Sequence, residues 1–489
     1  MATSLIVLYG NDPLYLGIGW QLIQLANEAG ETPIVLDITD VLGGLGDAVN
    51  RRALKFFNIT SPDIEFYDRV RKAGYEVLRA TPFLQVGSVF PMSPNAQEGI
   101  RETTRSALIS YSRDPLPKTS RGLWKEFEQA LAVAANRSFQ SVCGVLATRS
   151  EIETIYVLNG RFPYQRGVIE AGLASGKRIM HYEKGEKPDT YWFADHSTLD
   201  RTATQASVDD VLGHLSTEEA LTLGKEWMER RSARGSANIY SRFFHEGQTD
   251  ITSSSKAKVV GLFSSSQDEF AALGPDWHVQ EWQDQLLAFD HVLTHLEKRG
   301  FDFYLRVHPN FATKSHASFL REREKIEKLG RDHPSLRIIW HDEQVSSYSL
   351  INETDVVVVW DSTIGLEACG RGKPVWELAA SYYDLYTKIP QWFGPAGSPD
   401  LQSLEQHVDA ERALRFMAYL DIREPQLSAE AIRIRSSITP RPSLGLRIAG
   451  VLSSGGAPRP RIAIQSIVDS IRHRRPSINA TALKKYVGA

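Results

Sequence analysis

Residues 354–378 read TDVVVVWDSTIGLEACGRGKPVWEL, and the fold turns on them. Val356 to Val359 is apolar without alternation, so its strand is expected to be central in a parallel sheet and buried on both faces. Asp361, Ser362 and Thr363 follow as helix-capping side chains. A short helix then runs to Gly370, and Lys373-Pro374-Val375 opens another strand.

The same alternation extends outward. KVVGLFSSS (258–266), FDFYLRVHPN (301–310) and LRIIWHD (336–342) read as strands with loops at their ends. QEWQDQLLAFDHVLTHLEKRG (280–300), HASFLREREKIEKLG (316–330) and SSYSLINET (346–354) read as the helices between them. The order βαβαβαβαβ predicts a parallel sheet. The chain opens in the same manner, with a strand at SLIVLY (4–9), a helical pattern at WQLIQLANEAG (20–30) and a strand at TPIVLDITD (32–40). Alternation resumes with ETIYVLNG, RGVIEAGLASG and KRIMHYEKG over 153–185. Ser216 and Glu219 form a capping box for a helix at 216–231, and ITSSSKAK (251–258) reads as a polar link.

A length of 489 residues suggests two or three domains, and 42% hydrophobic with 24% charged residues is ordinary for a globular protein. Cys143 and Cys369 supply neither a disulfide framework nor a zinc pattern, which favours a reducing compartment. MATSLIVLYGNDP has no basic n-region, and no stretch approaches the ~20 apolar residues of a spanning helix, so a cytoplasmic protein is expected. Charge is uneven. Residues 431–489 hold 11 Lys/Arg and one acid, Asp469, making that segment +10 and the rest −13. Such a tail can make peripheral contact with an anionic membrane surface, or pack as a solvated tail on the acidic body.

In open parallel sheets, ligands sit beyond the carboxyl ends of the strands. The loops there are Gly10-Asn11-Asp12, Asn159-Gly160-Arg161 and His181 to Gly185 in the first half, with Ser264-Ser265-Ser266, Arg306 to Asn310 and Asp361-Ser362-Thr363 in the second. Gly10-Asn11-Asp12 is the weakest of these, since a strand-to-helix turn needs such residues anyway. A helix start at Asp361-Ser362-Thr363 offers unpaired N–H groups and a partial positive charge to a phosphate. Plain capping is the alternative, and for Asp361 both stay open. Arg306 and His308 alternate at one strand end, so both can point to one face. A guanidinium fork and an imidazole suit a phosphate ester, with Asn310 and the hydroxyls and amides of Ser264, Ser265 and Ser266 nearby. Trp360 is either core or a stacking surface, and Tyr382 and Tyr383 are candidates to line the cleft.

Taken together, RVHPN and DVVVVWDSTIGLEACGRGKPVWE resemble the donor-binding half of GT-B glycosyltransferases, above all those of bacterial capsule and surface polysaccharide synthesis. Those enzymes show Arg-x-His-Pro, then a Ser-Ser/Thr pair at a helix start, Glu-Ala and Gly-Lys-Pro. The His-Pro and Ser/Thr pair is similar to that of Kdo transferases and polysialyltransferases, which use CMP-activated acidic sugars, and CDP-glycerol glycerophosphotransferases share the theme. The resemblance covers about 256–390 and, more loosely, 155–200. It implies that Arg306 and His308 contact the donor phosphate, and Ser362 and Thr363 the phosphate or nucleotide. Glu367 would sit near the ribose or remain a structural helix residue. Glu367 and Glu377 are ten apart, so the Glu-x7-Glu of many retaining UDP-sugar enzymes is absent, which favours the CMP-type comparison or an inverting enzyme. No Asp-x-Asp occurs, leaving a metal-bridged diphosphate unsupported.

Inverting transfer also needs a base for the acceptor hydroxyl. Glu183 is the leading candidate, against a plain salt bridge to Lys184 or Lys187, and Asp12 is the alternative base. Asn159, Arg161 and Arg166 are candidates to bind the acceptor or a donor carboxylate, against a simple Asn-Gly turn with surface arginines. His181 is expected to pack.

The sequence therefore predicts two Rossmann-like doubly wound α/β domains in a GT-B arrangement. Residues 1–250 form the acceptor side with helical insertions, 256–400 the donor side, and 401–489 a helical basic region. The expected activity moves a sugar from a CMP- or UDP-activated donor to a glycan or glycolipid acceptor during surface polysaccharide assembly. No metal, cofactor or nucleic-acid partner is expected. A nucleotide-sugar 2-epimerase of the same fold and a non-catalytic glycan- or nucleotide-binding protein are the alternatives.

Overall fold

Two sheets organise the chain. The first contains β1 (Thr3–Leu8), β2 (Thr32–Asp37), β3 (Glu76–Arg79), β4 (Ile152–Leu158), β5 (Arg178–Lys184) and β6 (Tyr191–Ala194), in the order β3-β2-β1-β4-β5-β6. The second contains β7 (Val259–Phe263), β8 (Asp302–Arg306), β9 (Leu336–Ile339), β10 (Val356–Val359) and β11 (Val375–Glu377), in the order β11-β10-β7-β8-β9. Every pairing is parallel except that of β5 with β6. Counted within each sheet, the first five strands run 3-2-1-4-5 in both, which is the Rossmann order. The coordinates are a computed structural model that describes residues 2–43, 63–117, 123–233, 257–274, 277, 282, 284–406 and 408–438.

The four valines of β10 are buried, as an unalternating run requires, and Val358 lies between Leu262 and Trp376. The strand is interior, but the centre belongs to β7, whose neighbours are β10 and β8. The first helix, Pro13–Glu28, begins well before the helical pattern at Trp20, because Asp12 caps it and Pro13 takes its first position. Gly17 and Gly19 weaken the helical pattern. Gly17 lets a crossing helix approach closely: a Cβ there would stand 3.1 Å from the Arg435 Cβ and 3.3 Å from the Ala431 carbonyl oxygen.

The sequence places the domain boundaries differently from the packing. After β6 the chain leaves the first sheet. Val208, Leu212, Ala220 and Trp227 share a core with Val357, Leu366 and Phe416 of the second. The helix Thr217–Ser232, with its Ser216–Glu219 box as expected, therefore belongs to the second body, which starts near residue 201 rather than 256. Residues 401–438 are no separate region either. The helix Ala410–Ile422 lies in the second core, while Leu427, Ala431, Ile434 and Ile438, on and around Ala429–Ser437, return to the first beside Leu5 and Leu36. Amphipathic helices need an apolar face to cover, and their sequences do not say which one. Residues 251–256 of the polar link, and the basic stretch from 439 onward that was expected to meet a membrane, lie outside the described residues. Among the described residues no helix is long and apolar enough to cross a membrane. Cys143 and Cys369 are buried free thiols.

Candidate functional site

The loops after β7 and β10 meet at the second sheet's switch point. Ser265 Oγ donates to the Asp361 carbonyl, and the Asp361 amide donates back to it at 3.3 Å. Ser264 Oγ accepts the His308 amide at 2.9 Å and donates to the Arg306 carbonyl at 3.2 Å, and Ser266 Oγ donates to Asp268 Oδ1 at 2.8 Å. The three hydroxyls expected on a phosphate are thus committed to shaping the loops. Ser362 is the cap of the eight-residue helix Thr363–Gly370, accepting the Ile364 amide at 3.3 Å, which releases Asp361 from that role. Among the described residues no acceptor meets the Ser362 and Thr363 amides, which sit at the positive end of the helix. Thr363 Oγ1 lies 3.4 Å from the Tyr382 hydroxyl, and Tyr383 donates to the Ser362 carbonyl at 2.6 Å.

Arg306 is 5% exposed. One nitrogen donates to the Trp340 carbonyl at 2.5 Å, and its buried Nε has no hydrogen-bond partner among the described residues. His308 Nδ1 accepts the Asn310 amide at 3.1 Å, and burial pushes its pKa down to about 4. The neutral ring therefore keeps its proton on Nε2, a tautomer assigned from that bond. Asn310 Nδ2 donates to Glu269 at 2.9 Å, holding the loop. Close to His308, Lys314 bridges Asp268 at 3.1 Å and Glu322 at 2.7 Å. Burial pushes the Asp268 carboxyl up, but the Lys314 and Arg113 charges outweigh it and hold it below the usual range.

The Asp361 carboxyl has no hydrogen-bond or ion-pair partner among the described residues. Burial raises it to about 7, with Asp384 pushing the same way and Arg201 opposing. Glu367 is 1% exposed and paired with Arg231 at 3.3 Å, so of its two expected roles the structure shows the helix residue in an ion pair. Trp360 is a core side chain, edge-on to Phe270.

At the first sheet's edge, Glu183 lies within β5, opposite Trp192 of β6, rather than in a loop. Its Oε1 accepts the Tyr15 hydroxyl at 2.6 Å and the Lys184 amide at 2.9 Å, and its Oε2 accepts Asn159 Nδ2. A carboxylate offers about four acceptor positions, so three donors fix its orientation and leave one. Burial and the Glu183 charge push the Tyr15 pKa far up, which keeps it a donor. The alternative salt bridges are not formed: Lys184 meets Glu183 through its amide, and Lys187 pairs with Asp421 at 3.0 Å. Asp12 accepts the Leu14 amide at 2.9 Å as a cap.

Asn159 Oδ1 accepts the Arg161 amide at 2.9 Å, and Arg161 donates to Ser110 at 2.8 Å. Arg166 lies in the helix Pro163–Ala174, paired with Glu170 at 2.6 Å and packed against Gly99, so its charge is already matched. His181 packs as expected, 7% exposed, with its pKa pushed by burial to about 4.

Arg231 links the two carboxyl edges, pairing with Glu186 just past β5 at 3.1 Å and with Glu367 of the helix Thr363–Gly370 at 3.3 Å, and other contacts join the two bodies. Ser106 donates to the Ala272 carbonyl at 2.6 Å and Trp277 to the Leu199 carbonyl at 3.1 Å. Arg113 pairs with Glu269 at 3.0 Å, while within the second body Arg201 pairs with Asp384 at 2.6 Å. Sequence reading missed Tyr15, although Asp12-Pro13 is a cap and first-position signal that brings it into the helix. Arg201–Asp384 has no signal in sequence, being 183 residues apart.

No protein-family model and no curated protein matches the chain. Solved structures similar to it include the beta Kdo 2,4 transferase KpsC of Thermosulfurimonas dismutans, at 13% identity over 54% of this chain and 80% of that one, TM-score 0.35. UDP-GlcNAc 2-epimerase from Neisseria meningitidis bound to UDP-GlcNAc is similar at 13% identity over 82% and 89%, TM-score 0.26. The Methanocaldococcus jannaschii UDP-GlcNAc 2-epimerase in complex with UDP-GlcNAc and UDP is similar at 10% over 85% and 98%, TM-score 0.28. At these identities and TM-scores the likeness brings no fold, substrate or reaction with it.

Proposed function

We propose that this chain is a GT-B glycosyltransferase, moving a sugar from a CMP- or UDP-activated donor to a hydroxyl of a glycan or glycolipid acceptor in surface polysaccharide assembly. One observation carries the reading: a carboxylate fixed by Tyr15 and Asn159 ends one sheet, a capped helix N-terminus with Arg306 and His308 ends the other, and Arg231 links the two edges through Glu186 and Glu367. The donor phosphate would take the Ser362 and Thr363 amides and the His308 Nε2–H, with Arg306 adding charge, while Ser264, Ser265 and Ser266 hold the loops in place. As the donor bond breaks, that edge would stabilise the leaving phosphate. Glu183, with one acceptor position left, would take the proton from the acceptor hydroxyl as its oxygen attacks the sugar. Arg306 can supply the charge that a metal supplies elsewhere, with the His308 Nε2–H as a neutral donor, so we infer a reaction insensitive to chelators.

A second reading has one observation in its favour. Asp361, unpartnered and near neutrality on the donor side, suits the proton removal and return that epimerisation of a nucleotide sugar needs. A thermal-shift panel of CMP-, UDP- and GDP-sugars, followed by assays with and without acceptor oligosaccharides, tests both. Stabilisation by a CMP or UDP species with acceptor-dependent turnover is expected. No shift with any nucleotide would sink the donor site, and conversion of a UDP-sugar without acceptor would replace transfer by epimerisation.

A further inference from the structure

The Arg423 guanidinium has neither an ion pair nor a hydrogen bond among the described residues, although it is half-buried and its Nε is shut off from water. It follows the helix Ala410–Ile422 and lies 5.3 Å from the Tyr419 ring centroid. An unmatched, partly desolvated guanidinium is costly to keep and calls for an anion. Besides the adjacent Glu424, whose carboxylate is bound by the Glu186 amide and the Thr190 hydroxyl, its charge acts on two groups. One is Tyr382, which touches Thr363 at the helix N-terminus; the other is His196, just past β6 on the first body. Both His196 ring nitrogens are also buried without a partner, and the ring stacks on Trp192 at 5.5 Å.

The nearby acids are engaged elsewhere or face outward. Glu186 pairs with Arg231 at 3.1 Å. Glu424 accepts the Glu186 amide at 2.8 Å and the Thr190 hydroxyl at 3.2 Å. Asp195 and Asp200 act on His196 but are exposed.

We propose that Arg423 and His196, one from each body, form an anion site in the cleft next to the Thr363 helix, which takes a carboxylate or phosphate carried by the donor's sugar or by the acceptor. This rests on the cleft being a nucleotide-sugar site, but names a second anion distinct from the donor's nucleotide phosphate. Arg423 positions that group by bidentate, charge-assisted hydrogen bonds, and His196 adds one donor.

The test is calorimetric titration of the full chain with glucuronate and glucose 1-phosphate, with and without saturating CMP or UMP. Arg423→Gln should weaken both anions at least about tenfold. Arg423→Lys should recover part of the loss, and His196→Gln should cost about two- to fivefold. Nucleotide affinity should stay unchanged in all three, which also shows that they fold. Tighter binding of UDP-glucuronate than UDP-glucose, lost in Arg423→Gln, assigns the anion to the donor. Equal binding of those two, with free glucuronate still adding to the nucleotide complex, assigns it to the acceptor. Unchanged anion affinity in Arg423→Gln overturns the site while leaving the donor reading intact. Arg423-dependent anion binding with no nucleotide binding keeps the site and sinks the donor reading.

Discussion

The two sheets share one strand order and end in opposite chemistry. At the first edge a single carboxylate is held by neutral and backbone donors: Tyr15, Asn159 and the Lys184 amide. At the second, hydroxyls and an imidazole spend their bonds on the loops, leaving two helix amides, part of one guanidinium and the His308 Nε2–H. Topology sets where loops meet, and the loop residues decide whether the edge accepts protons or anions.

The sharpest way to break this comparison is Glu183→Gln, which keeps the shape and removes the charge. Transfer should fall by about 10²–10⁴ while nucleotide affinity is unchanged. Turnover near the original rate would mean that the first edge is not the proton acceptor. Next in size, Lys314→Leu strands the buried Glu322 close to His308 and leaves Asp268 with Arg113 alone, at 3.2 Å. Chemical denaturation should show a loss of about 3–5 kcal/mol, the cost of an unpaired buried charge. A smaller effect is expected of Arg306→Ala, which should weaken nucleotide binding by roughly ten- to a hundredfold in titrations, from a lost charge-assisted contact.

Asp361→Asn sharpens the second edge through pH. The folded carboxyl titrates near 7 against an ordinary 3.8, so the fold tolerates it below 3.8 and is penalised increasingly as pH rises through 7. The substitution should therefore raise Tm by a few degrees at pH 8 and leave it unchanged at pH 4, and a gain at both would deny the titration. The smallest effect belongs to Glu186→Ala, whose pair with Arg231 is 44% exposed on the acid side, so stability should move by less than about 1 kcal/mol.

Much of the fold was legible. The unalternating valines of β10 and the strand-helix alternation around them state a parallel sheet outright. The 3-2-1-4-5 order was not, because strand neighbours are chosen in space. The site was legible as a set of loops and misread in its details. Ser264 to Ser266 stand where a phosphate-binding loop would, but a hydroxyl's partner depends on the backbone that folds against it, here Asp361 and Arg306. The helix expected from Arg166 begins at Pro163; the turn signal of Asn159-Gly160 obscured its start. Glu367 was left between two roles until Arg231, 136 residues away, took it.

The return of the helix Ala429–Ser437 to the first sheet has a consequence for how the protein is made. The Gly17 face of the first helix, and the core around Leu427, Ala431, Ile434 and Ile438, stay open until nearly the whole second body has been synthesised. From residue 201 to 438 that is on the order of 10–50 s at ribosomal speeds of about 5–20 residues per second. Throughout that interval the nascent first body carries an uncovered apolar groove, and a fragment ending near residue 200 would carry it permanently. The two bodies are therefore a single unit of expression, and severing the chain between them would yield a pair of fragments that need each other to become soluble.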